Sequence, residues 1–299
     1  MRKTSVYLPE ALKEQLGALA RRSGNSESEL IRTAIEHLVR SDPPQLATHP
    51  EPPPRPGPRL VGIGVGPGNP DLLTTRAPDE LRHADRVMAT AAGHDVTSRA
   101  EMVVMAALPN VSVDRLPIAI GNDAASRRHG LEEAADGLIV ALDRLEVVAV
   151  VTLGDPNVFS IFSTLARCVH RRRPHVVIET VPGVMAFQEL AARSGTVLSD
   201  QDDREGAPES LRIVTAPDDL ACLEGDLADP SCTVVVYRGG RHLPEIADRL
   251  AAHGRLDGAV VGELLGLPGE RSQPVAARAS RPASYLATII VPATRNEDP

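Results

Sequence analysis

Residues 60–68 read LVGIGVGPG, a stretch in which apolar residues alternate with glycine before a glycine-rich turn. Val61, Ile63 and Val65 recur with the two-residue period of a β-strand. A helix is expected after the turn, from about Thr75. The stretch therefore predicts a strand–turn–helix unit, the element from which α/β folds are built.

The glycine spacing does not fit the dinucleotide-binding fingerprint G-x-G-x-x-G. Counted from Gly62 the sixth position is Pro67, and counted from Gly64 it is Asn69. A nicotinamide or flavin site is therefore not expected. A tight turn that binds no ligand would use the same residues, so this turn alone does not establish a binding site.

Two further apolar runs end in turns. Residues 147–153 read VVAVVTL before Gly154–Asp155–Pro156, and residues 176–181 read VVIETV before Pro182–Gly183. Such runs are typical of buried parallel strands, and α/β proteins bind ligands beyond the carboxyl ends of those strands. The remaining predicted elements are helices from 159–163 and from about 186, and strands at 211–215, 233–237, 259–263 and 287–292.

A proline-rich segment divides the chain. Residues 41–58 contain eight prolines in eighteen positions, a composition that excludes a helix or a central strand and predicts an extended tether. Residues 1–40 and 59–294 are therefore expected to fold as separate units.

The amino-terminal unit has the pattern of one strand and two helices. Residues 3–8 alternate between two faces, and a helix is predicted from Pro9 to Gly24. Ser26 and Glu29 have the spacing of a capping box and begin a second helix. So few elements cannot bury enough surface alone, which predicts a dimer with a two-stranded ribbon.

The stretches VYLPEAL at 6–12 and GNSESELIRTAI at 24–35 resemble the ribbon-helix-helix (CopG/Arc-like) family of DNA-binding proteins. In that family the ribbon enters the major groove, and a helix amino terminus is suited to a phosphate. The resemblance implies DNA contacts by Lys3, Ser5, Tyr7, Asn25 and Ser26. The alternative is a dimerisation module that does not bind DNA.

Composition limits the other classes of function. The net charge is −8, and residues 1–40 carry seven Lys or Arg and five Asp or Glu residues, a weak positive charge for a DNA binder. The three cysteines have no CxxC spacing, so neither a disulfide framework nor a metal site is predicted. No signal sequence and no run of about 18 uncharged apolar residues is found, which predicts a cytoplasmic protein without a membrane span.

Five motifs occur in a fixed order in the second unit. They are GVGPGNPDLLT at 64–74, LGDPNVFSIFSTL at 153–165, VPGVMAFQELAARSG at 181–195, VVVYRGGRHLPEIADRL at 234–250 and SYLATIIVP at 284–292. Together they resemble the tetrapyrrole methylase family, and the second and third are most similar to its precorrin-2 C-20 methyltransferases. The resemblance implies two α/β domains, at 59–157 and 158–294, a homodimer, and S-adenosylmethionine bound in the cleft between the domains.

The resemblance also implies which residues contact the cofactor. Carried over by motif, they are Gly66, Pro67, Gly68, Gly154, Asp155, Pro156, Phe159, Met185, Ala186 and Tyr237. Glycine turns allow a backbone to approach a ligand closely, and the carboxylate of Asp155 would balance the positive charge of a sulfonium.

The chain departs from the family pattern at several positions. Asn69 stands where Asp is frequent, Met185 where Ser or Thr is usual, and Arg238 where Met or Lys is frequent. Residues 94–130, which would help to shape the substrate pocket, match poorly. These departures bear on the substrate more than on the cofactor.

No catalytic base is assigned from the sequence. Side chains with suitable chemistry are Asp155, Glu189, His242 and Glu263. Arginines that would suit the carboxylates of a tetrapyrrole are Arg127, Arg128, Arg238 and Arg241, although a solvated surface position is the ordinary interpretation of each.

Two functions from different classes fit these patterns. The first is an S-adenosylmethionine-dependent C-methyltransferase acting on a precorrin-2-like tetrapyrrole in cobalamin biosynthesis. The second is a DNA-binding transcriptional regulator whose methylase-like part senses a tetrapyrrole or S-adenosylmethionine. The cofactor motifs are largely intact, and because a sensor needs no competent methyl-donor site, the enzyme is favoured.

Overall fold

The computed structural model describes residues 10–41, 57–91, 93, 96–118, 123–144, 146–200, 209–216 and 220–295. The chain divides into two compact units, Met1–Pro56 and Gly57–Pro299. The ribbon predicted at residues 3–8, with Lys3, Ser5 and Tyr7, lies outside the described residues, as does most of the proline-rich segment.

The first unit contains the two predicted helices, α1 (Glu10–Ser23) and α2 (Glu27–Ser41). Ser26 begins α2 as predicted, because its hydroxyl oxygen accepts a hydrogen bond from the backbone N–H of Glu29 at 3.2 Å. On α1, Leu16 is half-buried and Leu19 is 44% exposed. The apolar stripe of α1 is therefore only partly covered within one copy of the chain.

The second unit contains two five-stranded sheets. The first has the order β3-β2-β4-β1-β5, and every pair of neighbouring strands is parallel. Its strands are β1 (Arg59–Gly64), β2 (Arg86–Ala91), β3 (Val113–Pro117), β4 (Val147–Thr152) and β5 (Val177–Val181).

Helices cover both faces of the first sheet. They are α3 (Arg76–His83), α4 (Arg99–Ala107), α5 (Ala124–Leu142) and α6 (Phe162–Arg172). Leu60 and Val150 face α5 and α6, whereas Val61 and Val151 face α3 and α4. Burial on both faces explains why residues 60–64 of β1 and 147–151 of β4 are apolar.

The second sheet is mixed and has the order β6-β7-β10-β8-β9. Only β6 and β7 run parallel to each other. Its strands are β6 (Ser210–Thr215), β7 (Cys232–Tyr237), β8 (Val260–Glu263), β9 (Arg271–Pro274) and β10 (Thr288–Val291), and its helices are α7 (Ala186–Ser194), α8 (Glu224–Ala228) and α9 (Leu243–Ala252).

All seven strands that the sequence predicts in the second unit are present, and the predicted helices from Thr75 and Ala186 begin within one residue of those positions. The helix expected from 159–163 begins at Phe162. Strands β2, β3 and β9 and helices α4, α5, α8 and α9 were not predicted. β5 belongs to the first sheet although it follows residue 157, so we propose that a division between two domains falls between β5 and β6.

Candidate functional site

Three turns meet at the carboxyl edge of the first sheet. β4, β1 and β5 are neighbours and run parallel, so the turns that follow them lie side by side. The backbone N–H of Gly154 donates a hydrogen bond to the carbonyl oxygen of Gly66 at 2.8 Å. A Cβ atom on Gly64 would lie 2.4 Å from the carbonyl oxygen of Gly154. The contact between the first two turns therefore requires glycine.

Asp155 holds two of these turns together. Its Oδ1 accepts a hydrogen bond from the backbone N–H of Asn157 at 2.8 Å, and its Oδ2 accepts one from that of Gly183 at 3.1 Å. The Asn157 side chain donates to Thr180 Oγ1 at 3.1 Å. Both carboxylate oxygens of Asp155 are thus used within the protein, and its place is in the turn rather than on the cavity wall.

A cavity opens between this edge and the second sheet. It is lined by Pro67, Leu153, Gly154, Val158, Phe159, Met185, Ala186, Tyr237, Arg238, Leu264, Leu265, Leu267, Leu286 and Thr288. The lining is predominantly apolar, with one charged side chain and two hydroxyl groups. Such a composition suits a ligand with a large apolar ring and a few polar groups.

Aromatic residues are concentrated at this cavity. The chain has three Phe, three Tyr and no Trp. Two of these six side chains, Phe159 and Tyr237, line the cavity, and Phe187 and Tyr285 contact residues of its wall. Phe159 contacts Tyr237 edge-on, with 5.9 Å between ring centroids. Phe187 contacts Tyr237 at 6.4 Å, and Tyr285 lies beneath Arg238. Elsewhere the core is built from aliphatic residues, with Phe162 packed over Gly62.

Tyr237 joins the second sheet to α7. Its hydroxyl oxygen accepts a hydrogen bond from the backbone N–H of Phe187 at 3.3 Å. Burial raises the pKa of Tyr237 to about 12, because the charged phenolate would lose its hydration. The side chain is therefore neutral at physiological pH and serves as a fixed wall of the cavity.

The cavity is also where the backbone adopts unfavourable conformations. Among the described residues, three non-glycine residues have positive φ: Phe159 at 50°, Arg238 at 58° and Leu264 at 53°. All three line the cavity. Left-handed conformations of this kind cost about 1–3 kcal/mol each and cluster at functional sites.

The loop between β8 and β9 closes the cavity on the side of the second sheet. Gly266 donates its backbone N–H to Glu270 Oε2 at 2.9 Å. Arg193 of α7 forms ion pairs with Glu270 and Glu189, and the Glu189 carboxylate raises the pKa of Arg193. This network fixes the leucines of the loop against α7.

Six of the ten residues predicted to contact a cofactor line the cavity, namely Pro67, Gly154, Phe159, Met185, Ala186 and Tyr237. The other four, Gly66, Gly68, Asp155 and Pro156, belong to the turns behind it. Sequence reasoning missed the contribution of the β8–β9 loop, although LLGLPG at 264–269 carries the glycine and proline signals of a tight turn.

None of the side chains considered as a base lines the cavity. Glu263 Oε1 accepts a hydrogen bond from Arg278 Nε at 3.1 Å, and its Oε2 accepts one from the backbone N–H of Ser284 at 2.7 Å. Glu189 is paired with Arg193, and His242 precedes α9. Of the four arginines considered, Arg238 lines the cavity.

The described part of the chain contains no cluster of three or more His, Cys, Asp or Glu side chains that could hold a metal ion. No helix found there is both long enough and apolar enough to cross a lipid bilayer.

Known proteins are similar to this chain in sequence. Residues 59–279 match the family Tetrapyrrole (Corrin/Porphyrin) Methylases, and residues 2–41 match ribbon-helix-helix proteins of the copG family. The chain is 30% identical over 245 residues to a precorrin-2 C(20)-methyltransferase from Sinorhizobium sp, covering 78% of this chain and 95% of that protein. It is 28% identical over 236 residues to a cobalt-precorrin-2 C(20)-methyltransferase from Salmonella typhimurium, covering 78% and 95%.

Solved structures share the architecture of the second unit. The cobalt precorrin-4 methyltransferase CbiF matches with a TM-score of 0.57 and 20% identity, covering 78% of this chain and 94% of that one. The uroporphyrin-III C-methyl transferase of Thermus thermophilus, in complex with S-adenyl homocysteine, matches with a TM-score of 0.52 and 24% identity, covering 78% and 96%. The chain therefore belongs to the tetrapyrrole methylase family, and a ribbon-helix-helix segment precedes its methylase part.

Proposed function

We propose that this protein is an S-adenosylmethionine-dependent C-methyltransferase that acts on a precorrin-2-like tetrapyrrole in cobalamin biosynthesis. The observation that carries the proposal is the apolar cavity between the glycine turns of the first sheet and the β8–β9 loop. It occurs in a chain that aligns with 95% of a precorrin-2 C(20)-methyltransferase. The regulator remains the alternative, without a comparable observation in its favour.

The residues at the cavity fit the cofactor. A Cβ atom on Gly154 would lie 3.2 Å from the Met185 sulfur. Because Gly154 has no side chain, the thioether of Met185 can form this part of the cavity wall. We propose that the cofactor contacts Pro67, Gly154, Phe159, Met185, Ala186 and Tyr237. Gly66, Gly68, Asp155 and Pro156 would shape the turns that present these residues.

When bound, S-adenosylmethionine supplies an electrophilic methyl group. The chain supplies orientation, which is the main requirement for an in-line displacement. Met185, Leu265 and Leu267 form walls that exclude water, a competing nucleophile. Within the described residues the wall contains no carboxylate or imidazole, so we assign these side chains to binding and orientation and name no base.

Calorimetric titration with S-adenosylmethionine and S-adenosylhomocysteine tests the cofactor site, and a methylation assay on precorrin-2 tests the substrate. We expect cofactor binding in the micromolar range and transfer of one methyl group to a ring carbon. Cofactor binding without methyl transfer would contradict the proposed substrate. An absence of cofactor binding would contradict the proposed cofactor site itself.

We also propose that the protein is a homodimer and that its amino-terminal segment binds double-stranded DNA. The match of residues 2–41 to ribbon-helix-helix proteins supports both statements. The partly exposed apolar stripe of α1 supports dimerisation, because Leu19 is only partly covered within one copy. In the described residues all three cysteines are free thiols, which supports a reducing, cytoplasmic location.

Selection of binding sites from a random duplex library tests the DNA proposal. Lys3, Ser5 and Tyr7 would contact bases, with Asn25 and Ser26 near a phosphate. We expect enrichment of a palindromic sequence and its loss in a Lys3→Ala and Tyr7→Ala double variant that remains dimeric. Enrichment of no sequence by the dimeric wild-type protein would instead support a dimerisation module.

A further inference from the structure

Arg238 is the single charged side chain on the wall of the cavity among the described residues. It follows β7 directly, in a left-handed conformation with φ of 58°. Its guanidinium carbon lies 5.7 Å from the centroid of the Tyr285 ring. The side chain of Arg238 is solvent-exposed, as is that of Tyr285. The pair therefore stands at the mouth of the cavity.

The guanidinium of Arg238 forms no ion pair within the described part of the protein. None of the carboxylates described there lies within ion-pair distance of its guanidinium. Two other arginines of the second unit, by contrast, form ion pairs. Arg193 is paired with Glu189 and Glu270, and Arg278 is paired with Glu263. The stack on Tyr285 orients the guanidinium without neutralising it.

The backbone holds Arg238 and Tyr285 together. The carbonyl oxygen of Gly240 accepts a hydrogen bond from the N–H of Ala283 at 2.8 Å. The buried carboxylate of Glu263 in turn accepts the N–H of Ser284 at 2.7 Å. The first hydrogen bond joins residues two positions from Arg238 and Tyr285, and the second fixes the residue before Tyr285, so the geometry of the pair is set before a ligand binds. Preorganised donors of this kind lose little entropy on binding.

We propose that Arg238, stacked on Tyr285, binds a peripheral carboxylate of the tetrapyrrole and determines which edge of the macrocycle faces the cavity. Guanidinium and carboxylate form paired, charge-assisted hydrogen bonds. The exposed rings of Phe159 and Tyr285 provide flat apolar surfaces for a planar ring system. The inference rests on the proposed function, because it names the group of that substrate which the cavity recognises.

The test compares Arg238→Met with the full-length wild-type protein. We expect the KM for precorrin-2 to rise about tenfold to a hundredfold, the scale of one charged hydrogen-bonded pair. The affinity for S-adenosylhomocysteine is expected to stay within about twofold, and Arg238→Lys should recover part of the loss. Loss of S-adenosylhomocysteine affinity in Arg238→Met would assign the guanidinium to the cofactor's own carboxylate and overturn the proposal.

A binding assay separates this inference from the proposed reaction. Uroporphyrin III, whose side chains are all carboxylates, is titrated against the protein by fluorescence without any turnover. We expect Arg238→Met to weaken its binding more than tenfold, and raised salt to reduce the difference. Arg144→Met removes the same charge beyond the amino end of β4 and is expected to bind like wild type. Equal binding by wild type and Arg238→Met would overturn the assignment even if the enzyme methylates precorrin-2.

Discussion

Gly183 lies so close to Gly154 that a Cβ atom added to Gly183 would be 2.1 Å from the carbonyl oxygen of Gly154. The clash is with backbone, which cannot rotate away as a flexible side chain can. The turns after β4 and β5 can therefore touch only while residue 183 has no side chain.

Gly183→Ala is expected to separate these turns. Overpacking of this kind costs about 1–3 kcal/mol of folding free energy, and the cavity would widen at Met185. We expect at least tenfold weaker binding of S-adenosylhomocysteine by calorimetry. Gly225→Ala is the control, since nothing lies within 4 Å of its added Cβ and it sits in α8. Unchanged affinity in Gly183→Ala would show that the contact is not needed.

Asp155→Asn removes one of the two carboxylate oxygens that accept backbone hydrogen bonds in the turn. The amide oxygen can replace only one carboxylate oxygen, so the N–H of Asn157 or that of Gly183 loses its partner. We expect a loss of about 1–3 kcal/mol in the free energy of unfolding by urea, together with weaker cofactor binding. Asp248→Asn, on the exposed face of α9, should match wild type. Full stability in Asp155→Asn would contradict the role of this side chain in the turn.

The raised pKa of Tyr237 predicts that this side chain loses its proton late in an alkaline titration. Its pKa is raised to about 12 by burial, whereas an unfolded tyrosine titrates near pH 10. The folded protein thus holds this proton more tightly than the unfolded chain. Its contribution to stability is complete below about pH 10 and is lost as the pH rises from about 10 to 12.

Absorbance of tyrosinate measures this titration directly. We expect a component with a midpoint near pH 12 that disappears in Tyr237→Phe and persists in Tyr285→Phe. If Tyr237→Phe retains this late component, the raised pKa belongs to another tyrosine.

Arg255 predicts a large stability effect far from the cavity. Its guanidinium is buried, and the four N–H groups of its two terminal nitrogens are shared among six carbonyl oxygens, those of Asp226, Leu227, Asp229, Cys232, Val291 and Pro292. Burial lowers the pKa of Arg255, yet its donors tie α8 to the ends of β7 and β10.

Arg255→Met would leave these carbonyls without that donor. We expect a loss of about 3–5 kcal/mol in the free energy of unfolding, the range for breaking a buried charged network. Arg212→Met, which removes an exposed ion pair with Asp226, should cost less than about 1 kcal/mol. Equal effects of the two substitutions would contradict the structural role of Arg255.

The sequence allowed much of the first sheet to be predicted. Val61 and Ile63 alternate with glycine, and residues 147–151 are continuously apolar, so local pattern alone identified β1 and β4. β3 was missed because it lies within residues 94–130, which match the family poorly, and because Asp114 and Arg115 interrupt its apolar pattern. β2 lies outside that stretch, but its sequence RVMATA begins with a charged residue and contains a threonine, so it lacks the continuous apolar run of β4. Arg86 and Asp114, for instance, form an ion pair across the start of these strands at 2.9 Å.

The cavity was predictable on the side of the first sheet and at Tyr237. Pro67, Gly154 and Met185 lie in motifs whose turns are set by nearby sequence. Leu264 lies in the β8–β9 loop, where glycine and proline indicate a turn but not the long-range docking that places the loop on the cavity wall. The positive φ of Phe159 and Arg238 was equally invisible, because neither residue type favours that conformation.

The approach of Gly266 to the first glycine turn fixes the order in which this protein can become functional. A Cβ atom on Gly266 would lie 2.1 Å from the backbone nitrogen of Asn69. The β8–β9 loop, which closes the cavity, therefore packs directly against the glycine turn that follows β1. During synthesis the turn at Asn69 leaves the ribosome long before the β8–β9 loop exists. A ligand of this cavity can therefore stabilise only the finished chain, and every shorter intermediate must persist on the strength of its own sheet.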